Sequence, residues 1–469
     1  MTDPSTDTEP QSLFRSGENC WRVVGADRVA VLIDTADYFA ALKSACEQAQ
    51  HSVFVLGWDF DRRERLGREA DAPELEAFLC GLLERNPDLH IYLLLWDFHF
   101  VYAAEREWFQ AWKLRLNANE RLHIQFDGAH PPGGSQHQKV VVVDDSVAFC
   151  GGIDLSRWRW DTPEHAARDA RRTDPDGNDY PPFHDAMLLV EGEAAAALGR
   201  LARKRWLNSG AAEKPVEFAG NADGCWPKDV EPLFCDHPVA IARTLPAWDD
   251  RPGVRELEQL YLDAIASARH YVYIENQYFT SRVLTEALAQ RLSREEPPDV
   301  LLVLPKHTGG WLEQATMDAL RADCLAKLRQ ADQGRCLRVM YPEQPGLAEH
   351  EYISVHSKLL IVDDRFVCLG SANTSDRSMG LDSECNLALE AAESEQVPWL
   401  LHRFLSEHLG YTLVYQYKQP FRDGSTHAVF EPLDFIARLA ALVPRSHLNL
   451  TRFHSAGESD RTSYAPRKQ

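Results

Sequence analysis

The sequence predicts an α/β protein made of two similar α/β sandwich lobes from an internal duplication, each a mixed, mostly parallel sheet flanked by helices. Three observations predict it. First, Ala49-Gln-His-Ser-Val-Phe-Val-Leu-Gly-Trp-Asp-Phe60 recurs as Ala268-Arg-His-Tyr-Val-Tyr-Ile-Glu-Asn-Gln-Tyr-Phe279, and Gln136-His-Gln-Lys-Val-Val-Val-Val-Asp144 recurs as Val355-His-Ser-Lys-Leu-Leu-Ile-Val-Asp363, both at an offset of 219 residues. Two separated segments sharing one offset indicate a duplicated domain, since the period is far too long for a solenoid. Second, the runs Lys139 to Val143 and Lys358 to Val362 are near-continuously apolar, as strands buried on both faces are. Third, segments of helical period alternate with such strands, the pattern of a sheet covered by helices.

The elements follow in chain order. Residues 1–18 are polar and acidic and read as a disordered N-terminus. The first lobe is assigned to 19–207. Tyr38 to Gln48 has apolar residues at helical spacing, and Val53 to Leu56, Ile91 to Trp96 and Leu122 to Gln125 are β-rich runs before the strand at Lys139. Asp161 to Pro182 is charged and proline-flanked and reads as a long surface loop. Residues 208–253, rich in Gly, Pro and charge, read as a linker, with Pro238 to Arg243 a candidate first strand for the second lobe. The second lobe, 254–450, repeats the scheme with a helix at Glu256 to Ser267 and strands at Val272 to Ile274, Val300 to Leu304, Leu337 to Met340 and Lys358. A polar tail, 451–469, reads as disordered.

Composition narrows the function. Lys plus Arg number 50 against 71 Asp plus Glu, giving a net charge of −21 over 469 residues. Nucleic-acid affinity rests on Lys and Arg replacing counterions, so a general nucleic-acid binder is disfavoured, although a local basic cleft is compatible with this charge. No segment approaches the ~20 apolar residues of a membrane span, and the N-terminus lacks the basic start and apolar centre of a signal peptide. A cytoplasmic protein is expected, monomeric, with at most peripheral contact with a membrane. The ten cysteines are scattered singly without any Cys-x-x-Cys, so neither a zinc site nor a redox pair is signalled. His123 and His130 precede His137 at seven-residue steps, but no carboxylate or cysteine completes a site; no metal or other cofactor is expected.

The chemistry lies in the repeat. His137, Lys139 and Asp144 form His-x-Lys-x(4)-Asp, and His356, Lys358 and Asp363 form it again. Residues i and i+2 of a strand face one side, so each His and its Lys share a space. Histidine suits nucleophilic or proton-transfer work near neutrality, and lysine brings a compact charge to a phosphate oxygen. The aspartates, five residues beyond the lysines, fall on the opposite face of a straight strand. They belong to the candidate catalytic motif, yet this spacing gives them structural work at the strand end. Small-residue turns, Gly151-Gly-Ile-Asp154 and Gly370-Ser-Ala-Asn373, follow at matched spacing and are able to aim N–H groups at an anion.

These motifs and their flanks resemble the phospholipase D superfamily from about Asn19 to Leu409. Gly151-Gly-Ile-Asp-Leu155 with Arg159-Trp-Asp161, Tyr273-Ile-Glu-Asn-Gln-Tyr-Phe279, Phe183-His-Asp185, and Gly370-Ser-Ala-Asn373 with Asp382-Ser-Glu384 look like its eukaryotic-type branch. The resemblance implies one active site at the lobe interface and a phosphohistidine intermediate, with His137 as nucleophile and His356 as general acid. It implies that Glu384 orients His137 and Asp185 orients His356, and that Lys139, Lys358, Asn373 and Ser371 bind substrate phosphate. Asp154 departs from Asn373 at the matching place; a carboxylate there repels phosphate unless it binds lysine or backbone instead. Glu275, Asn276 and Gln277 are open between a substrate-side role and closing a sheet, and Trp58 is expected to pack or wall the pocket. The implied activity is hydrolysis or transphosphatidylation of a glycerophospholipid at a membrane surface, with water or an alcohol as acceptor. A cardiolipin-synthase-like phosphatidyltransferase is the alternative; a nuclease is disfavoured by charge, and a non-catalytic lipid-binding module by the two complete motifs.

Overall fold

Val140, Val142, Leu359 and Ile361 face one apolar cluster, while Val141, Val143, Leu360 and Val362 face others, so the two motif strands are buried on both sides. Period-two alternation with apolar residues in both phases has this outcome, and each large side chain so buried contributes roughly 1.5–3 kcal/mol. In this computed structural model the described residues are 12–97, 119–216, 224–307, 317–363, 365–391, 412–416 and 427–430.

The first half contributes β1 (Arg22–Ile33), α1 (Asp34–Glu47), β2 (Ser52–Gly57), α2 (Leu75–Arg85), β3 (His90–Trp96), β4 (Leu122–Asp127), β5 (Val140–Val143), β6 (Val147–Gly151), β7 (Phe183–His184), β8 (Ala186–Glu191) and α3 (Glu193–Asn208). After β9 (Phe234–Leu245) and β10 (Val254–Arg255) come α4 (Glu256–Ser267), β11 (Tyr271–Asn276), α5 (Arg282–Leu292), β12 (Asp299–Val303), α6 (Ala319–Asp332), β13 (Leu337–Glu343), β14 (Ser354–Val355), β15 (Lys358–Val362) and β16 (Phe366–Gly370). Helix α7 (Asp376–Gly380), β17 (Glu384–Glu390), β18 (Thr412–Gln416) and β19 (His427–Phe430) complete the described elements.

Both halves use one pairing scheme. Val53 pairs with Val143 and Leu56 with Val140, and Val272 pairs with Val362 and Glu275 with Leu359, the same register displaced by the repeat. Strands β2, β3 and β4 run parallel, as do β11, β12 and β13. The mixed α/β class is as expected, but parallel pairing in the large sheet is confined to those runs. Strands β5, β6, β8, β1, β9, β17, β16 and β15 continue antiparallel from one half into the other. Strand β9 joins them: Ile241 lies between Arg22 of β1 and Leu387 of β17. The segment read as a linker therefore holds a central strand. Strands β6 and β8 also pack against β16, and β6 against β17, so the shared apolar layer sits between the halves. Helices α1 and α2 cover the outer face of the first half and α4, α5 and α6 that of the second.

Two further expectations differ from the structure. Residues 12–18, read as part of a disordered terminus, are tied down: the Leu13 N–H donates to Glu390 at 3.0 Å, Arg15 pairs with Asp263 at 2.6 Å and Phe14 packs on Phe366. The loop Asp161 to Pro182 is anchored internally, because Asp161, His165 and Arg172 are buried in it as mutual ion pairs. Residues 1–11 and the expected tail 451–469 lie outside the described residues.

Candidate active site

His137 and His356 each stand just before or between the paired strands, and each meets a carboxylate from the other half. Glu384 begins β17 and holds both oxygens 3.0 Å from His137 Nδ1. Asp185 follows β7 and places Oδ2 2.6 Å from His356 Nδ1. The backbone enforces both crossings. The His137 N–H donates to the Ser383 carbonyl at 3.0 Å, and the His356 N–H donates to the His184 carbonyl at 2.8 Å beside the parallel pair β7–β14. Both carboxylates are fully buried, whereas the imidazoles keep 15% and 11% side-chain exposure, enough for an outer ring edge to meet substrate.

The carboxylates are themselves held. Ser375 caps α7 by accepting from the Ser378 N–H, and Ser378 Oγ donates to Glu384 Oε1 at 2.7 Å. Ser371 Oγ donates to Glu384 Oε2 at 2.5 Å and is wholly buried. Ser371, expected at the substrate phosphate, is instead committed to the carboxylate. Burial pushes Glu384 up to about 7 against those hydroxyl donors, and pushes Asp185 up to about 6 against the pull of Lys358. Burial also drives both imidazoles well below their ordinary range, His137 with help from Lys139 and Lys358, and His356 with help from Lys358, Arg159, Lys139 and His137. In the free site each histidine is thus neutral, donates Nδ1–H to its carboxylate and leaves Nε2 as a lone pair.

Lys139 and Lys358 are buried beside the histidines. Lys139 Nζ lies 3.1 Å from Asp154, which also accepts from the Trp58 N–H at 2.9 Å. This is how a carboxylate is tolerated where the other half has Asn373: a lysine and the backbone neutralise it. Lys358 has no such acid. Its Nζ donates to Gln277 Oε1 at 3.2 Å and to the His356 carbonyl, and burial lowers it to about 7. Asn373 is buried, and its side-chain oxygen has no hydrogen-bond partner among the described residues.

Asp144 and Asp363, counted within the candidate catalytic motif, lie at the far ends of their strands. Asp144 accepts from the N–H groups of Gln50, His51 and Ser52, and Asp363 from those of Arg269, His270 and Tyr271. Both sit at φ 51°, a left-handed conformation that Asp tolerates. Their odd spacing from the lysines already pointed to this structural work. Glu275 is buried and accepts from His184, Ser357 and Tyr273. The Trp58 ring stands edge-on to His137 with centroids 6.3 Å apart and stacks on Trp96. Sequence reasoning missed Gln277 as the lysine partner, Ser378, and Arg159 as a third local cation. A cavity of about 200 Å³ lined by Lys306, Arg321, Leu325 and Tyr341 contains none of these residues.

Among the described residues one set with metal-ligand chemistry converges: Asp34, His165 and His184. Each is fully buried, and His184 has a carboxylate at both ring nitrogens, Asp34 and Glu275, each at 2.8 Å. A ligating nitrogen must be free of its proton, whereas two carboxylate acceptors require both nitrogens to carry one. The set is an ion-pair network.

Comparison with known proteins agrees with this geometry. The family model "Cardiolipin synthase, PLD-like domain" matches residues 261–404. Phospholipase D A of Dictyostelium discoideum is 28% identical over 435 residues, covering 77% of this chain and 32% of that protein. Phospholipase D1 of Saccharomyces cerevisiae is 23% identical over 495 residues, covering 81% and 28%, and phospholipase D2 of Bos taurus is 23% identical over 471, covering 79% and 50%. The phosphatidylserine synthase structure of Haemophilus influenzae shares the fold, with TM-score 0.54 and 16% identity over 89% of this chain and 94% of that one. Over most of its length the chain is similar to members of the phospholipase D superfamily. It spans half or less of the length of those three relatives. Among the described residues no helix is long and apolar enough to cross a membrane.

Proposed function

We propose that the chain is a phospholipase D-type phosphodiesterase, cleaving a glycerophospholipid to phosphatidate and a free head-group alcohol. The observation that carries the reading is the pair of crossed His–carboxylate contacts beside two buried lysines. His137 Nε2 attacks phosphorus, and the P–O bond to the head group breaks as His356 gives its proton to the leaving oxygen. Water or a primary alcohol then attacks the phosphohistidine, its proton passes to His356, and the P–N bond breaks. Two displacements replace one difficult step. His356, neutral in the free site, takes up its proton as the anionic phosphodiester enters, because that charge offsets the cations depressing it. Lys139, Lys358, Arg159 and the Asn373 amide steady the equatorial oxygens. Glu384 and Asp185 fix each ring by its Nδ1–H and offset the charge that forms there.

The protein acts as a monomer from the cytoplasm, touching the membrane surface peripherally, and uses no metal. A second reading, a phosphatidyltransferase resolving the intermediate with a lipid alcohol, is favoured by the cardiolipin synthase description of the match over 261–404. Incubation with acyl-chain-labelled phospholipid separates them: phosphatidate, or a phosphatidyl-alcohol when a primary alcohol is added, supports the first. A product seen only with a lipid acceptor supports the second. Activity is expected to survive exhaustive EDTA; loss with rescue by one divalent ion overturns the lysine-based mechanism.

A further inference from the structure

Among the described residues the phosphoryl-transfer steps leave two buried histidines unused, His165 and His184. His184, at the end of β7, has Asp34 Oδ1 2.8 Å from Nδ1 and Glu275 Oε1 2.8 Å from Nε2. Ionised carboxylates only accept, so both ring nitrogens carry hydrogen and the ring is an imidazolium. Its partners are fixed as anions. Glu275 also accepts from Tyr273 Oη at 2.6 Å and from Ser357 Oγ, and Asp34 accepts from the Asp185 N–H at 3.2 Å.

The charges extend beyond this triad in alternating sign. Arg172 lies 2.9 Å from Asp161, Asp161 3.0 Å from His165 Nδ1, and His165 Nε2 3.3 Å from Asp34. From Arg172 to Glu275 three acids alternate with three bases, so the buried chain is neutral as a whole. Burial alone lifts carboxyls and depresses imidazoles, yet Asp34 and Glu275 are held below their ordinary range and His165 and His184 above theirs by these pairings. The chain starts in the Asp161 loop, passes α1 and β7, and ends on β11 of the second half.

Its near end lies against the site. The His184 carbonyl receives the His356 N–H, and the next residue, Asp185, faces His356, Lys358, Lys139 and His184, with the Ala186 N–H donating to it at 2.7 Å. We propose that His184 is a positioning residue: a permanent buried imidazolium that bridges the two halves and keeps Asp185 ionised, so that Asp185 holds His356 with Nε2 toward the reacting oxygen. This rests on the reading of His356 as the acid and base of the reaction. Asp185, already lifted by burial, rises further when the neighbouring cation is removed. It then takes up its own proton at a higher pH and ceases to accept from His356.

Two measurements test it. In wild-type protein labelled with ¹⁵N at histidine, the His184 ring, assigned by its change in Glu275→Gln, is expected to show two protonated nitrogens at about pH 8, well above an ordinary histidine's titration. A neutral His184 ring there overturns the proposal without any appeal to activity. In His184→Gln the acid limb of kcat/KM for a soluble short-chain phospholipid, whose alcohol leaving group needs the His356 proton, is expected to move up by about one pH unit, the loss of one nearby charge. Glu275→Gln, which keeps the ring, is expected to move it in the same direction by less, and serves if His184→Gln does not fold. A uniform fall in rate with an unmoved limb in both variants reduces His184 to a structural role. If wild type turns over no phosphodiester, the functional reading fails while the nitrogen spectrum still decides the imidazolium.

Discussion

Lys139 and Lys358 occupy equivalent places in the repeat but differ in what offsets their charge. Asp154 neutralises Lys139, whereas Lys358 has an amide, Gln277, and only the acids already serving the histidines. Burial holds Lys358 near about 7, so its charge is present below that pH and lost above it. Phosphate binding by Lys358 therefore predicts a fall in kcat/KM as pH rises through about 7. The fall in kcat is expected at higher pH, because a bound phosphodiester anion stabilises the ammonium. Lys358→Arg, whose guanidinium does not titrate, is expected to be slower yet to lose this basic limb; a limb unmoved in that variant assigns it to another group. The histidines are separable too. A p-nitrophenolate leaving group needs no proton, so His356→Ala is expected to release a burst of about one nitrophenolate per site and then stall with the phosphoryl group on His137. His137→Ala is expected to give neither burst nor adduct. Label on His356 instead reverses the roles, and no adduct on either ring, where wild type turns over, overturns the covalent step.

At the scale of elements, Asp144 and Asp363 are motif residues whose carboxylates serve the backbone. Each ends a motif strand and accepts three consecutive N–H groups that open the neighbouring β2 or β11. Asp144→Ala and Asp363→Ala leave those donors without their acceptor and place Ala in a left-handed backbone. Each is expected to lower unfolding stability by about 2–4 kcal/mol in denaturant titrations, with kcat per folded molecule little changed. A large loss of kcat at full stability makes them catalytic after all. Much of the architecture was legible in sequence because Val53, Val140 and their repeats are apolar on both faces and recur at one offset. Strands β1, β8 and β17 were not identified, since Arg22–Ile33 and Glu384–Glu390 mix polar residues into the run and pair only across long distances in the chain. Strand β9 was half seen, its Gly- and Pro-rich surroundings masking a segment that both halves need. The histidine, lysine and orienting acid positions were readable from motif and resemblance. The misplacement of Ser371 has a physical origin: the turn sequence fixes where the backbone goes, but its hydroxyl follows the nearest buried acceptor, Glu384.

For the whole molecule, local and global charge oppose each other. Lys139, Lys358 and Arg159 converge on His356, while the chain carries −21 overall. A small anionic substrate feels the near cations, since more distant surface charges are screened beyond about 10 Å at 0.1 M salt. A membrane approaches the outside first. An anionic leaflet attracts basic segments and must repel a body this acidic, and the repulsion weakens as salt shortens the screening length. Hydrolysis of a zwitterionic phospholipid in vesicles is therefore expected to slow when part of the bilayer is replaced by an anionic lipid that is not itself cleaved. The slowing is expected to be strongest at about 10 mM salt and to disappear by about 0.5 M, where the screening length is a few ångströms. The soluble p-nitrophenyl diester provides the control: its turnover should not respond to such vesicles. Phosphatidate is anionic, so progress curves on pure zwitterionic vesicles should also bend earlier at low salt than at high salt. A rate that rises with anionic lipid at low salt contradicts all of this. It requires a basic docking surface strong enough to override the net charge, and moves the control of membrane encounter from the whole molecule to a local patch.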